Sequence, residues 1–199
     1  MTDSRPILVT GCSRSGTKYT TFLLREFGYE VGHERYARDG IVAWQLAAQT
    51  QPGDRPPWGC PPRRPGEHRL FHLVRDPFKA IPSLAYRDWH RRSRTWRNMF
   101  LDFEDLVGLD TNLLTRATLV YCRWNALVPP QNPELTMRVE DAPALLEQHF
   151  GWAPRSLPAP CNQRPHKVHT PADILNQING IARRELQAFC EQYGYGWPG

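Results

Sequence analysis

The most constraining stretch of this chain runs from Thr10 to Lys18 and reads Thr-Gly-Cys-Ser-Arg-Ser-Gly-Thr-Lys. A short apolar run, 7–9, precedes it, and the segment 19–27, apolar at helical spacing, follows it. This order predicts a buried strand, a loop between two glycines and a helix. Backbone N–H groups of such a loop and of the first helical turn converge on one point, where the helix dipole adds about half a positive charge. The stretch therefore predicts a phosphate-binding loop.

The two residues after Gly16 indicate which phosphate chemistry to expect. A nucleotide-triphosphatase loop reads G-x4-G-K-[ST], and there the Lys spans the terminal phosphates while the hydroxyl holds Mg²⁺. Gly11 and Gly16 have this spacing, but Thr17 and Lys18 follow in the reverse order. Because the hydroxyl is missing from the magnesium position, we expect a loop that binds phosphate without a metal. An ordinary glycine-containing turn is the alternative, and the polar and basic residues around Gly16 count against it.

Arg14-Ser15-Gly16-Thr17 resembles the 5′-phosphosulfate loop of sulfotransferases that use 3′-phosphoadenosine 5′-phosphosulfate (PAPS). That family carries Lys- or Arg-Ser-Gly-Thr after its first strand. Its second element is an Arg at the end of a later strand, with a Ser eight residues on, and both bind the 3′-phosphate. Here Arg75 follows an apolar strand and Ser83 has the required spacing. A weaker likeness is the run 137–141, Met-Arg-Val-Glu-Asp, which is similar to the Arg-Tyr-Glu-Asp of bacterial members.

The resemblance covers roughly residues 6 to 170 and implies a nucleotide site without a metal. PAPS would be the co-substrate and 3′-phosphoadenosine 5′-phosphate (PAP) the product. The segment 162–167 resembles the late basic loop that closes over the nucleotide in the family. Tyr19 falls where the family often has an aromatic residue beside the adenine, although core packing explains it equally well. The implied nucleotide-binding residues are Ser13, Arg14, Ser15, Gly16, Thr17, Lys18, Tyr19, Arg75, Ser83, Arg164 and Lys167.

Arg14 and Lys18 are the candidates for stabilising the charge that grows on the departing bisphosphate. Family members often carry Lys where Arg14 stands. Since a guanidinium does not lose its proton, we assign Arg14 to electrostatic stabilisation only. Whether Lys18 takes over part of the lysine's role stays open.

The candidate general base follows a short predicted strand. Gly32-His33-Glu34 resembles the Gly-Glu-Glu run of protein-tyrosine sulfotransferases, which supplies a catalytic Glu. We therefore expect Glu34 to be the base. His33 is the second candidate, because a histidine works near neutrality without any tuning of its pKa. A surface hydrogen-bond network is the alternative for this pair. The other histidines considered as bases are His68, His72 and His90.

Strands alternating with helices predict a three-layer α/β/α domain with a mainly parallel sheet. The resemblance implies the P-loop-like sulfotransferase version of that fold. We predict one domain over residues 1–199, with proline-rich loops at 52–66 and 153–171, the first of them a lid or a disordered segment. The predicted strands are 7–10, 29–31, 69–74 and 135–139; the predicted helices are 16–27, 41–49, one after Asp76, 112–128, 143–150 and one from a cap at Thr170 to Gly194.

The composition limits the classes of function. A mean hydropathy of −0.58 without a long apolar run excludes a membrane span, and Met1–Pro6 is too polar for a signal peptide, so we predict a cytoplasmic protein. The five cysteines are scattered without a C-x-x-C, which supports neither a zinc site nor a disulfide framework. A net charge of +5 suits an anionic ligand. Five arginines between 87 and 97 form either a solvated helix face or an anion-attracting surface: Arg87, Arg91, Arg92, Arg94 and Arg97.

These observations favour a PAPS-dependent sulfotransferase that transfers a sulfuryl group to a hydroxyl or amine of a small-molecule or glycan acceptor. The alternative is a phosphotransferase of the P-loop kinase type, which would need ATP and Mg²⁺. The reversed Thr17-Lys18 counts against it. A nucleic-acid-binding protein would explain the positive charge, but the chain carries no recognisable recognition motif, and we do not expect a nucleic-acid partner.

Overall fold

The computed structural model describes residues 4–50, 53–62, 67–87, 91–101, 112–159 and 168–198. Five strands form one all-parallel sheet in the order β2-β3-β1-β4-β5: β1 Ile7–Thr10, β2 Val31–His33, β3 Gly40–Val42, β4 Arg69–Val74 and β5 Leu135–Arg138. The helices of the described parts are α1 Thr17–Glu26, α2 Pro77–Arg87, α3 Arg91–Asn98, α4 Leu113–Ala126, α5 Ala142–Phe150, α6 Pro171–Gln177 and α7 Gly180–Tyr193. In these parts of the chain, no helix has both the length and the apolar character needed to cross a membrane.

The sheet is covered by helices on both faces. Side chains alternate along a strand, so Leu8 and Ile41 lie in one hydrophobic cluster with residues of α2, α4 and α7. Val9 and Val42 lie in the other cluster, with residues of α1 and α5. Both clusters are almost fully buried. The predicted α/β architecture, with a parallel sheet between two helical layers, is confirmed.

The strand order places a crevice at the carboxyl end of β1. From β1 the chain passes through α1 to β2, which lies beyond β3 on one side of β1. From β4 the chain continues to β5 in the opposite direction. Open parallel sheets bind ligands where the direction of winding reverses, because the loops after the two strands separate there. The loops after β1 and β4 are the two segments in which the phosphate-binding motifs were predicted.

Two predicted elements differ from the structure. The predicted helix 41–49 is wrong, because Gly40–Val42 forms β3 beside β1, and only Trp44–Ala47 forms a short 3₁₀ turn. The whole segment from Gly40 to Ala48 is buried, so its apolar run reflects a fully buried strand rather than one face of a helix. The predicted last helix is two helices. Ile178 is extended between them, and Asn179 caps α7 by accepting from the Ala182 N–H.

Other boundaries agree closely with the sequence. The predicted strand 29–31 lies two residues later, at Val31–His33. Thr170 and Asp173 form the predicted capping box, and Gly194 ends α7 in a left-handed conformation. Of the loop 52–66, residues 53–62 are described, and they contain a 3₁₀ turn at Pro57–Gly59 where no regular element was expected. Of the loop 153–171, the described residues are 153–159 and 168–171.

Candidate functional site: a cradle at the carboxyl ends of β1 and β4

The loop between β1 and α1 has the backbone geometry of a small cradle. Arg14 has a φ of 72° and Gly16 a φ of 94°, and the Ser15 N–H donates to the Cys12 carbonyl at 3.3 Å. A left-handed arginine is uncommon, and strained backbone conformations of this kind cluster at functional sites. Within the described residues, no side chain caps the N-terminus of α1 and no acidic residue lies in its first turn. The first N–H groups of α1 are thus available to an anion.

Both glycines of the motif are required by close approach. A Cβ at Gly11 would lie 2.0 Å from the Leu73 carbonyl oxygen at the end of β4. A Cβ at Gly16 would lie 2.6 Å from Cγ2 of Val139, just after β5. The loop therefore lies directly against the ends of the two neighbouring strands, and side chains at these positions would force it away.

The two predicted phosphate-binding motifs are in direct contact. Arg14 Nε donates to Ser83 Oγ at 2.8 Å, and Arg75 Nη1 donates to the Arg14 carbonyl at 3.1 Å. Ser83 lies on α2 and is buried, while both guanidinium groups are half-buried. Since Ser83 Oγ accepts from Arg14, its own proton is available for another acceptor. The strand ends thus bring together two cations and a hydroxyl from segments about sixty residues apart.

Two polar residues of α4 hold these loops in place, and sequence reasoning missed them. Asn125 Oδ1 accepts from the Cys12 N–H at 2.9 Å. The Tyr121 hydroxyl accepts from the Arg75 N–H at 3.1 Å and donates to the Arg75 carbonyl at 2.7 Å. The sequence predicted a helix over 112–128 but no site residue within it. The available signal was a pair of polar residues one turn apart on its buried face.

Arg97 of α3 is a third cation at the cradle. Its side chain is 1% exposed, its guanidinium lies 4.5 Å from the centre of the Trp44 ring, and Nη2 donates to Ser13 Oγ at 2.5 Å. The sequence placed Arg97 in a cluster of arginines that form either a solvated helix face or an anion-attracting surface. Because Arg97 is buried, the solvated face is wrong for this residue, and the anion-attracting surface stays a prediction. Its spacing alone did not separate it from the other arginines of the cluster.

The weaker motif 137–141 lies at the same edge of the sheet. Val139 packs under Gly16, as described above, and Glu140 Oε1 accepts from the Asp76 N–H at 3.1 Å. Asp76 in turn accepts from the Phe78 N–H at 3.0 Å and so caps α2, as predicted. The run therefore supports the loop after β4 rather than lying apart from the site.

His33 lies beside the cradle. Its Nε2 is 3.2 Å from Thr17 Oγ1, at the first residue of α1. Burial lowers the pKa of His33 below 6.5, and the charges of Lys18 and Arg25 lower it further. The imidazole is thus neutral near pH 7, as a general base must be.

Glu34 lies in the tight turn after β2. It has a φ of 57°, and its N–H donates to the Val42 carbonyl at 3.0 Å. Burial raises the pKa of the Cys60 thiol to about 12, and the charge of Glu34 adds to this rise. His33 contacts the cradle through Thr17.

The alternative histidines are less well placed. His68 is buried, and its Nε2 lies 2.6 Å from the Tyr36 hydroxyl. His72 is fully buried within β4, with Nε2 at 3.3 Å from Asn125 Oδ1. His90 lies outside the described residues, as do Arg164 and Lys167. Tyr19 is half-buried and packs against the cluster of α1 and α5, which favours the core-packing alternative for its ring.

We expect His72 to make the folded protein sensitive to acid. Burial lowers the pKa of His72 to about 4, whereas an unfolded chain has a histidine pKa near 6.5. Stability from the neutral imidazole is therefore complete above about pH 6.5 and is lost as pH falls towards 4, by about 3 kcal/mol. Urea unfolding of the wild type and of His72→Gln, at pH 7.5 and at pH 4.5, measures this loss.

His33 and His149 also have lowered pKa values, so they contribute part of the acid sensitivity in both proteins. The informative quantity is the difference between the two proteins in their loss of stability with acid. An equal loss in the wild type and His72→Gln would contradict the assignment.

Two cavities lie near the cradle. The larger, about 740 Å³, lies between the segment 54–62 and α3, and its walls are mostly apolar, with Trp58, Cys60 and Trp96 among them. The smaller, about 310 Å³, lies between α1 and the turn after β2, and Lys18 and His33 line it.

Metal sites and comparisons with known proteins complete the description of the site. In the described ranges, no three His, Cys, Asp or Glu side chains come together in a group that could hold a metal ion. Comparisons of the chain with protein-family models, with curated proteins and with solved structures found no match.

Proposed function

We propose that this protein is a sulfotransferase that takes its sulfuryl group from PAPS and passes it to a hydroxyl or amine of a small acceptor. We also propose that its α/β domain has the P-loop-like sulfotransferase fold. It is supported by the parallel sheet in the order β2-β3-β1-β4-β5, with the glycine-bracketed loop directly after the central strand β1. It is also supported by two motifs that resemble those of PAPS-dependent sulfotransferases: Arg14-Ser15-Gly16-Thr17, and Arg75 with Ser83.

The observation that carries the proposal is the contact between the two phosphate-binding motifs. The Arg14–Ser83 and Arg75–Arg14 hydrogen bonds join the 5′ motif to the 3′ motif at one end of the sheet. A ligand with two phosphate groups a few ångströms apart has a partner for each at this place. A nucleoside triphosphate needs instead a Lys after Gly16 and a hydroxyl after the Lys, and the chain has them reversed.

Each residue of the site then has a defined task. The loop N–H groups and Lys18 would hold the 5′-phosphosulfate, and Arg75 with Ser83 would hold the 3′-phosphate. PAPS itself supplies an activated sulfuryl group. Arg14 and Arg97 place permanent positive charge beside the cradle, where negative charge grows on the departing phosphate.

His33 would remove the acceptor's proton. It lines the smaller cavity, it contacts Thr17 at the edge of the cradle, and its lowered pKa keeps it neutral. The sequence favoured Glu34 over His33 as the base. We now favour His33, because it contacts Thr17. The left-handed backbone of Glu34 shows that the turn after β2 is held in a strained conformation, which fits a site rather than a plain surface turn.

We expect PAP to raise the melting temperature of the protein more than ATP with Mg²⁺ does, in a thermal-shift measurement. The cradle motif and Arg75 provide charged partners for both phosphates of PAP, and charge-assisted hydrogen bonds contribute about 1.5–3 kcal/mol each. Lys18→Ala and Arg14→Ala should each weaken PAP binding, by about 10- to 100-fold in titration calorimetry.

Arg184→Ala is the matched control, since Arg184 is an exposed residue of α7 without a place in the site. It should leave the PAP affinity unchanged. A larger shift with ATP and Mg²⁺ than with PAP would favour the phosphotransferase alternative. Unchanged PAP affinity in both cradle variants would remove the cradle from the nucleotide site.

A further inference from the structure

The smaller cavity lies beside the proposed base His33. It measures about 310 Å³ and opens between the first turns of α1 and the turn after β2. His33 lies at its inner edge, next to Thr17, and Lys18 connects it to the cradle. The full lining is Lys18, Thr21, Phe22, Arg25, His33 and Arg35.

The lining is cationic. Lys18, Arg25 and Arg35 contribute three permanent positive charges, and none of the lining residues is acidic. Among the described residues, no carboxylate pairs with any of these three. Two nearby acids, Glu30 and Asp39, pair with Arg38, and a third, Glu34, lies between His33 and Arg35 in the chain.

One of the three cations is anchored at the cavity. Arg25 donates from Nε and Nη2 to the Val31 carbonyl, at 3.0 and 2.9 Å. The backbone of Arg35 lies close to Gly32, where a Cβ would be 2.0 Å from the Arg35 carbonyl oxygen. Like charges fixed at one cavity repel each other, and an anion between them relieves that repulsion.

The cavity also has an apolar wall. The ring of Phe22 is 36% exposed, with Lys18 Nζ 6.0 Å and the Arg25 guanidinium 5.9 Å from its centre. An exposed ring between two cations suits a ligand that joins a small apolar body to an oxyanion. The volume is at the lower end of ligand cavities, which limits the ligand to a small molecule.

We propose that this cavity, lined by Arg25, Arg35 and His33, is the acceptor site, and that the acceptor is a small hydroxy compound or amine bearing an oxyanion such as a carboxylate. This inference rests on the proposed function. Arg35 and Arg25 hold the oxyanion, and the hydroxyl or amine lies at His33. In the transfer, the acceptor's O–H or N–H bond breaks and its proton passes to the imidazole. A new bond to sulfur forms, and the old S–O bond breaks with its electron pair staying on the phosphate oxygen.

The larger cavity between 54–62 and α3 is the competing acceptor site. Its mostly apolar walls fit a hydrophobic acceptor. Its charged lining residues are one acid and one cation, Asp54 and Arg55, whereas the smaller cavity has three cations and no acid. The two cavities therefore predict opposite preferences for charged and neutral acceptors, and a comparison of matched compounds separates them.

The test compares two pairs of compounds that differ only in charge: 4-hydroxybenzoate with 4-hydroxybenzamide, and 3-hydroxybutyrate with 3-hydroxybutyramide. Binding is measured by calorimetry on the full chain with PAP at saturation, so that the cradle is filled. In at least one pair, we expect the wild type to bind the carboxylate about 10- to 100-fold more tightly than the amide. Arg35→Gln should remove most of this preference and leave the PAP affinity unchanged. Arg38→Gln, three residues along and paired with Glu30 and Asp39, is the control and should keep the preference.

The outcomes for the two proposals are distinct. If PAP binds but the wild type does not prefer the carboxylate in either pair, or if Arg35→Gln keeps the preference, the acceptor inference is wrong and the proposed function stands. If PAP does not bind, the binding of each carboxylate and its amide to the wild type and to Arg35→Gln is compared without PAP. A carboxylate preference that Arg35→Gln abolishes then leaves an oxyanion site without a sulfotransferase.

Discussion

Replacing His33 with glutamine should slow sulfuryl transfer by about 10²- to 10⁴-fold, which is the usual contribution of a general base. PAP binding should remain nearly unchanged, because His33 contacts Thr17 through its side chain but is the last residue of β2 and does not belong to the cradle. The measurement is transfer from labelled PAPS to a panel of small hydroxy acids, phenols and amines. Calorimetry with PAP on the same preparations separates turnover from binding.

The pH dependence provides a second readout for His33. A base must be neutral, and the pKa of His33 lies below 6.5, so wild-type kcat/KM should rise with pH and reach half of its plateau value below pH 6.5. His33→Gln should lose this acid limb. Glu34→Gln is the comparison, since Glu34 is the other candidate base. If Glu34→Gln slows transfer strongly and His33→Gln does not, the base is Glu34, as the sequence first suggested.

Gly11→Ala should strongly destabilise the folded protein. The added methyl group would lie 2.0 Å from the Leu73 carbonyl oxygen, and a backbone oxygen at the end of a buried strand cannot move without shifting the sheet. We expect a loss of about 3 kcal/mol or more, at the upper end of the cost of overpacking. Urea unfolding followed by circular dichroism measures it.

The same substitution at Gly180 is the matched control. There the added Cβ would meet only Arg184 Nη1, at 3.7 Å, within helix α7. Because alanine is the better helix former, Gly180→Ala should be neutral or stabilising by up to about 1 kcal/mol. Equal effects of the two substitutions would show that the contact with Leu73 does not constrain the loop.

Local sequence patterns were enough to predict the cradle. Glycine positions, the apolar run before them and the amphipathic segment after them all act within about twenty residues, and β1, the loop and α1 lie where these patterns put them. The spacing from Arg75 to Ser83 was equally informative, because both residues follow directly from β4 and the start of α2. Caps at Thr170 and Gly194 were read correctly for the same reason.

The residues that sequence reasoning missed act over long distances in the chain. Asn125 contacts Cys12 across 113 positions, and Arg97 contacts Ser13 across 84. Only the tertiary fold decides which arginine of a basic cluster is buried, or which polar residue of an apolar helix finds a partner. The helix predicted at 41–49 failed differently: a segment buried on all sides has no periodicity to distinguish strand from helix.

One helix sets the spacing of the two loops. Asn125 binds the loop after β1, and Tyr121 binds the loop after β4. The two residues are four positions apart, so their anchor points on the helix axis are separated by about 6 Å, a length that backbone hydrogen bonds keep constant. Side-chain rotamers change readily, but the rise of an α-helix does not. If the two loops bind phosphate groups as proposed, this helix fixes the distance between those groups. The protein should then select ligands by the separation of their charges as much as by their number.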